Sequence, residues 1–212
     1  MSHSVRIVAC SDTHNRHNEV VVPPGDVFVH TGDFCGRGTL DEVRLFGAWL
    51  AELPHRHKIV IAGNHDWPFQ HSPREARALL GDCIYLQDEA HEAAGLRFYG
   101  SPWQPVFFNW AFNLPRGPEL AAKWARIPED TEVLLTHGPP QGIGDRTADG
   151  ENAGCDDLRR RIARVQPKVH IFGHIHEAYG RRSQGGITYV NACTCDLSYR
   201  AVNPAVVVDV QI

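Results

Sequence analysis

Thirteen histidines in 212 residues are the first sign of chemistry in this chain, because imidazole binds transition metals and moves protons near neutral pH. Their placement matters more than their number. The clusters Ser11-Asp12-Thr13-His14, Gly32-Asp33, Gly63-Asn64-His65-Asp66, Thr136-His137-Gly138 and Gly173-His174-Ile175-His176 each follow a short apolar run. Asp12, His14, Asp33, Asn64, His137, His174 and His176 together offer oxygen and imidazole-nitrogen donors, enough for two metal ions. Any one cluster alone reads as a turn or a helix cap, since Asp, Asn and Gly supply turn chemistry. Five of them on one edge of a sheet do not. In His174-x-His176, alternate residues of an extended segment point the same way, so both rings address one site. A donor set without thiolate suits Mn, Fe, Zn or Co better than Cu(I) or an iron–sulfur cluster, and two divalent ions with manganese preferred are expected. Two ions about 3.5–4 Å apart need a shared anion, acidify a bridging water and clamp phosphoryl oxygens. Asp33, whose strand should lie centrally, is the candidate bridge.

Strands must carry these clusters. Runs rich in Val and Ile at 5–10, 27–30, 58–62, 132–136, 169–172 and 206–210 are four to six residues long and read as buried strands. In an open α/β sheet, residues just past the strands' carboxyl ends converge on one crevice, which lets clusters far apart in sequence meet. Between the runs, Leu40, Val43, Phe46, Leu50 and Leu53 form a helical stripe over about 40–52. Ser72-Pro73-Arg74-Glu75 predicts a capped helix start. Further helices are expected near 119–127 and over 156–165, and a hairpin around Ala93-Ala94-Gly95. Interleaved strands and helices make the class α/β, with some antiparallel strands late in the chain. No repeat or linker divides it, so residues 1–212 read as a single domain.

Composition narrows the partners. Hydrophobic residues at 42% and charged residues at 22% exclude disorder and fibrous repeats. With Lys plus Arg at 21 against 25 for Asp plus Glu, the formal charge is -4. There is no global attraction for long nucleic acid or an acidic membrane, so a polyanion must be held locally. The first residues enter a strand-like run without a signal-peptide pattern, and no apolar stretch nears the ~20 residues of a membrane span. A cytoplasmic location is expected. The six cysteines (10, 35, 83, 155, 193, 195) are scattered and read as reduced thiols. Cys193-Thr-Cys195 reads as a strand end rather than a redox or metal pair.

In order and motif by motif, the five clusters resemble the calcineurin-like metallophosphoesterase superfamily. The stretches HTGDF, KIVIAGNH, YLQD, THGPP and PKVHIFGHIHEAYG, with SPWQP and WAFNLPRG between them, resemble its branch of metallophosphoesterase-domain-containing, cyclic-nucleotide-phosphodiesterase-like proteins. The resemblance runs from about residue 7 to 209. It implies a four-layer αββα sandwich of two mixed β-sheets flanked by helices, the metallophosphoesterase fold. By its pattern, one metal is held by Asp12, His14, Asp33 and His176 and the other by Asp33, Asn64, His137 and His174, while His65 contacts phosphate and acts as general acid. Some animal members of the branch carry Gly at the position of His174; this chain keeps the histidine, which implies a full second site. Protein-phosphatase members read GDxxDRG at the bridging Asp, whereas Gly32 to Gly38 here has Gly36 in place of the second Asp. The partner that orients the catalytic histidine is therefore missing. Asp66 is the candidate substitute, or else a helix-start or supporting group.

Residues 103–113 are the most aromatic stretch and are bracketed by prolines. Such rings stack a nucleobase for ~1–3 kcal/mol each or simply pack as core or lid; Trp103 is the candidate stacking residue. Asn113, Arg116 and Arg146 are candidate contacts to phosphate or ribose, beside Asn64 and His65. Members of the resembled branch hydrolyse phosphodiesters, including cyclic nucleotides. The expected function is thus hydrolysis of small phosphodiesters, nucleoside cyclic phosphates among them, by a metal-bridging hydroxide in a monomer or homodimer. The alternatives are a monoesterase or nuclease of the same fold, and a non-catalytic metal-binding scaffold. A scaffold should have lost ligands, yet all seven are present.

Overall fold

The computed structural model describes residues 4–212. The apolar runs become strands within one or two residues of the expected bounds. In chain order the first half contains β1 (Ser4–Cys10), β2 (Val27–His30), α1 (Leu40–Glu52), β3 (His57–Val60), α2 (Pro68–His71), α3 (Pro73–Leu79), β4 (Ile84–Tyr85), and the hairpin β5 (Glu89–Ala93) and β6 (Leu96–Ser101). There follow β7 (Gln104–Pro105), β8 (Asn113–Leu114), α4 (Pro118–Trp124), β9 (Val133–Thr136), α5 (Asp156–Val165), β10 (Val169–Phe172), β11 (Gly180–Gln184), β12 (Ile187–Asn191) and β13 (Val206–Gln211).

Two mixed sheets result. The first has the order β13-β1-β2-β3-β4 and the second β11-β12-β10-β9-β6-β5. The inner strands run parallel, and the antiparallel partners β13, β11 and β5 sit at the edges. The sheets face each other across a core of aliphatic side chains, among them Ile7, Val29 and Ile59 from one and Leu96, Leu135 and Ile171 from the other. Alternate residues point outward, as the two-residue period of a strand requires. Phe28 and Val60 therefore meet Phe46, Leu50 and Ala76 of α1 and α3, while Leu134 and Tyr189 meet Trp124, Leu158 and Ile162 of α4 and α5. Helix, sheet, sheet, helix is the layer order, as expected.

Local chemistry sets the helix ends. Thr39 caps α1 in a reciprocal box with Glu42, each satisfying a backbone N–H of the other's turn. Pro occupies the first turn of α2, α3 and α4, where its missing N–H costs nothing. The capping box expected at Ser72 does not form. Ser72 also closes α2, and its N–H bonds to Pro68 O, so its backbone does not adopt the usual N-cap conformation and its side chain caps nothing.

Parallel inner strands bring the carboxyl ends of β1, β2, β3, β9 and β10 to one edge of the sandwich. There Ser11, past β1, forms a bridge with Cys193, past β12, and Thr194 N donates to Ser11 O at 2.8 Å, which ties the two sheets together. Among the described residues no helix is long and apolar enough to cross a membrane, and all six cysteines are free thiols.

Candidate metal centre

All five polar clusters meet at that edge. Asp12, His14, Asp33, Asn64 and His137 are buried, His65 is 8% exposed, and His174 and His176 line the same cleft. Donor atoms of Asp12, His14 and His176 lie within 4.8 Å of one another, as do those of Asp33, His137 and His174 and those of His14, Asp33 and His65. The first sheet contributes Asp12, His14, Asp33 and Asn64, and the second contributes His137, His174 and His176. Each donor group thus spans both layers except the one that contains His65.

The backbone reaches this arrangement under strain. Asp12 (φ 51°), His14 (φ 41°), Asp33 (φ 57°) and His174 (φ 69°) are all left-handed, a conformation costing a non-glycine residue of order 1–3 kcal/mol. Hydrogen bonds between the motifs hold each one. Asp12 N donates to Gly32 O and His14 N to Asp33 O, His174 N donates to Asp12 Oδ2, and Asp33 N donates to Asp66 Oδ2. Glycine is required at two approaches. A Cβ on Gly63 would fall 2.6 Å from His137 Cε1 and closer still to Asp33 Oδ1, and one on Gly173 would overlap Asp12 Oδ2 and Ser11 Oγ.

Hydrogen bonds also fix the tautomers. His14 Nδ1 faces Cys35 O at 3.2 Å, His137 Nδ1 faces Thr31 O at 2.9 Å and His176 Nδ1 faces Cys195 O at 2.9 Å. A carbonyl only accepts, so each Nδ1 carries the proton and each neutral ring presents its Nε2 lone pair. Those lone pairs point at acceptors. His137 Nε2 lies 2.9 Å from Asn64 Oδ1 and 3.4 Å from Asp33 Oδ2, and His176 Nε2 lies 3.5 Å from Asp12 Oδ1. Asp12 Oδ1 and His14 Nε2 have no hydrogen-bond partner though fully buried, whereas Asp12 Oδ2 takes Ser11 Oγ, Cys193 Sγ and His174 N. Converging lone pairs repel unless positive charge lies between them. In the metal-free protein His137 supplies some of it: burial opposes its charged form, but Asp33 and Asp12 outweigh burial and push its pKa up to about 9. His14 goes the other way, down to about 4, because its desolvation outweighs the same carboxylates. Orphaned acceptors of oxygen and imidazole-nitrogen type fit divalent transition metals.

Several of the expected roles change in the structure. Asp66 does not touch the His65 ring. Its carboxylate accepts from Asp33 N, Cys35 N and Gly63 N and so holds two ligand loops together, while burial and the neighbouring Asp33 push its pKa up to about 7. The His65 ring is oriented by Gly36 O, 2.9 Å from Nδ1, so the backbone of the residue that replaces the protein-phosphatase Asp does that task. Trp103 does not face the centre, because its Nε1 donates to Asp88 Oδ2 and Lys123 Nζ sits 3.9 Å over its ring. Asn113 and Arg116 are likewise occupied. Asn113 binds the backbone of Phe107 and Phe108 and thereby shapes that turn, and Arg116 donates to Ala153 O and Gly154 O. Arg146 is exposed beside Thr147 and is not among the residues lining the cleft.

Other residues take the places beside the centre. Trp110 stacks on His65 with centroids 4.2 Å apart, Phe107 sets its edge 5.5 Å from His174, and Tyr199 lies 4.6 Å from His14. The cleft above the centre encloses about 220 Å³ and includes Phe107, Thr147, Glu177, Leu197 and Tyr199 among its walls. Tyr199 and Leu197 lie outside any strand-end motif and nothing in their sequence neighbourhood marks them, whereas Glu177 directly follows His176 in the last motif but is not singled out by it. The aromatic density of 103–113 did point to the segment that supplies Phe107 and Trp110.

The profile of the calcineurin-like phosphoesterases matches residues 5–178, a span that contains every one of the seven ligand candidates. The chain belongs to that family. It is similar to the human metallophosphoesterase domain-containing protein 1, 44% identical over 96% of this chain and 70% of the human one. A UPF0046 protein of Caenorhabditis elegans is 39% identical over 97% of this chain and 81% of its own. Among solved structures, TT1561 of Thermus thermophilus superposes with a TM-score of 0.63 over 92% of this chain and 91% of its own at 16% identity, a likeness of fold. The fold is that of the metallophosphoesterases, and family membership implies metal-dependent phosphoester hydrolysis.

Proposed function

We propose that the protein is a two-metal phosphodiesterase acting on small phosphodiesters, nucleoside cyclic phosphates among them. The observation that carries this reading is the pair of donor groups Asp12/His14/His176 and Asp33/His137/His174, with Asn64 Oδ1 beside His137 and Asp33 central enough to serve both. Asp12, His14, Asp33 and His176 would hold one ion, and Asp33, Asn64, His137 and His174 the other, with manganese the preferred metal over iron, zinc or cobalt. Bound divalent metal would supply Lewis acidity toward phosphoryl oxygens and a more acidic coordinated water.

The chain's own residues do the rest. The hydrogen bond to Gly36 O places the proton of neutral His65 on Nδ1, so Nε2 is the free atom of a ring held between Trp110 and the edge of His14. Protonated there, His65 delivers a proton to the departing alkoxide of a diester. His65 N donates to Asp33 Oδ1 at 2.7 Å, which fixes the acid's backbone to the shared carboxylate. Asp66 orients these loops rather than taking part in proton transfer.

Reconstitution tests the reading. Metal-stripped protein should be inactive and regain hydrolysis of bis(p-nitrophenyl) phosphate over p-nitrophenyl phosphate on adding manganese, with up to two ions per chain by elemental analysis. Asp33→Asn should lower occupancy of both sites. Full diester hydrolysis by protein free of metal would overturn it.

A further inference from the structure

The cleft that opens from the metal centre has an unusual balance of charge for an enzyme of phosphate esters. Its lining is Asp33, Asn64, His65, His174 and His176 at the floor, and Phe107, Thr147, Ala153, Ile175, Glu177, Leu197 and Tyr199 on the walls. Among these described residues there is no lysine or arginine. Arg116 is engaged on the carbonyls of Ala153 and Gly154 and Arg200 on Asp196, while Arg146, exposed beside Thr147, is not among the lining residues. Glu177 is the one ionisable wall residue besides the tyrosine. Its Oε1 accepts from Ala148 N at 2.7 Å, and among the described residues no cation pairs with it. The same cleft has exposed apolar surface on its walls, with Phe107 47% and Leu197 60% exposed.

Both walls are held in place before any ligand arrives. Asn113 accepts from Phe107 N and donates to the carbonyls of Phe107 and Phe108, and Phe108 sits at φ 48°. Across the cleft the Asp196 carboxylate accepts from Ser198 N and Arg200 N, with Tyr199 at φ 56°. Bulky residues in the left-handed region are outliers that persist only where surrounding bonds over-determine them. Preorganised walls reduce the ordering cost of binding.

We infer that Glu177, with Phe107, Leu197 and Tyr199, forms an ester-group subsite that selects diesters with an uncharged, largely apolar or aromatic arm and rejects substrates bearing a second phosphate or other anion. The inference rests on the phosphodiesterase reading above and names the substrate class within it. A phosphodiester brings one negative charge, which the metal centre accepts. A diester whose arm carries a further phosphate brings a second charge away from the metal centre, where the lining offers no lysine or arginine and the Glu177 carboxylate meets it. Specificity then comes as much from repulsion as from contact.

Charge variants of one residue test this. Glu177→Gln keeps an oxygen for Ala148 N and removes only the charge; Glu177→Lys reverses it. The readout is the ratio of kcat/KM for thymidine 5'-(p-nitrophenyl phosphate) carrying a 3'-phosphate to that for the same diester with a free 3'-hydroxyl, together with the salt dependence of that ratio. Manganese content and thermal midpoint are measured on each variant as controls. The ratio should rise about 3- to 10-fold in Glu177→Gln and further in Glu177→Lys, and the gain should shrink with added salt. Phe107→Ala should raise KM for the p-nitrophenyl thymidylate more than for methyl p-nitrophenyl phosphate. A ratio that stays constant across wild type, Gln and Lys variants with intact metal content overturns the subsite. Absence of diester hydrolysis by the metal-loaded wild type would instead overturn the phosphodiesterase reading itself.

Discussion

His65 shows how one side chain is given a task by its surroundings. Its Nδ1 is committed to Gly36 O and its face to Trp110, so only Nε2 is free to meet a leaving group. General acid catalysis is worth about 10²–10⁴-fold, and the gain depends on how badly the leaving group needs the proton. His65→Ala should therefore slow a diester that releases an alkoxide by that span but barely affect one that releases p-nitrophenolate, with metal content unchanged. Equal slowing of both, read from a leaving-group series, would make His65 an electrostatic clamp on the phosphate. The seven ligand candidates were legible at this scale because each follows a strand in a recognisable motif. Tyr199 and Leu197 were not, because a wall residue needs no spacing rule and is defined by the loops that fold over the site; Glu177 adjoins His176, but its type alone does not say that it lines the cleft. Trp103, Asn113 and Arg116 misled for the converse reason: their chemistry suits a ligand, but Asp88, the Phe107-Phe108 turn and the 153–154 backbone had already claimed it.

Elements place those residues through close approach. β2 and β3 lead into Gly32-Asp33 and Gly63-Asn64, and the turns press together so tightly that a methyl group at Gly63 would strike Asp33 and His137. Gly63→Ala should consequently displace the shared carboxylate without removing any ligand. Misplacement by about 1 Å costs on the order of 10²-fold in rate, so activity should fall by about that much and the metal concentration for half-maximal activity should rise. Circular dichroism should remain native. An alanine variant with wild-type metal titration would show that the turn yields freely. Strand positions could be read from Val/Ile runs, and α5 was placed to the residue by its apolar stripe of Leu158, Ile162 and Val165. β11, Gly180–Gln184, escaped because an edge strand with the sequence GRRSQ buries almost nothing; pairing with β12, not its own pattern, makes it a strand. Ser72 misled because one residue can close a helix while its sequence context reads as the start of the next.

At the scale of the whole molecule, buried neutral histidines outside the metal centre set a pH dependence. Burial lowers the pKa of His17 to about 4 and of His170 to about 3. Above the ordinary value of 6.5 these rings are neutral in both folded and unfolded chains and have no effect. As pH falls below about 6.5 the unfolded chain takes up protons that the folded chain refuses, so stability declines and levels off only near pH 3–4. Each ring adds a slope of at most about 1.4 kcal/mol per pH unit. His17 packs against Phe46 and Trp49, and its Nδ1 has no partner, so phenylalanine should fill its place. The drop in melting temperature of the metal-free protein between about pH 7 and about pH 4.5 should be smaller for His17→Phe than for wild type. Parallel curves for the two would show that His17 titrates freely in the fold.

The inner strands of both sheets end at one edge, but the parts of that edge differ in how they are built. Metal-ligand candidates sit on turns pinned to one another across two layers, whereas the cleft walls come from segments 106–110 and 196–200, tied mainly within themselves by Asn113 and Asp196. Apart from Trp110 on His65, Tyr199 on His14 and the Asp196 carbonyl facing His176 Nδ1, the wall segments can vary while the ligand turns stay as they are. A library confined to Phe107, Phe108, Glu177, Leu197 and Ser198 would search substrate preference with little risk to hydrolysis, so a new specificity can arise on this scaffold without passing through an inactive ancestor.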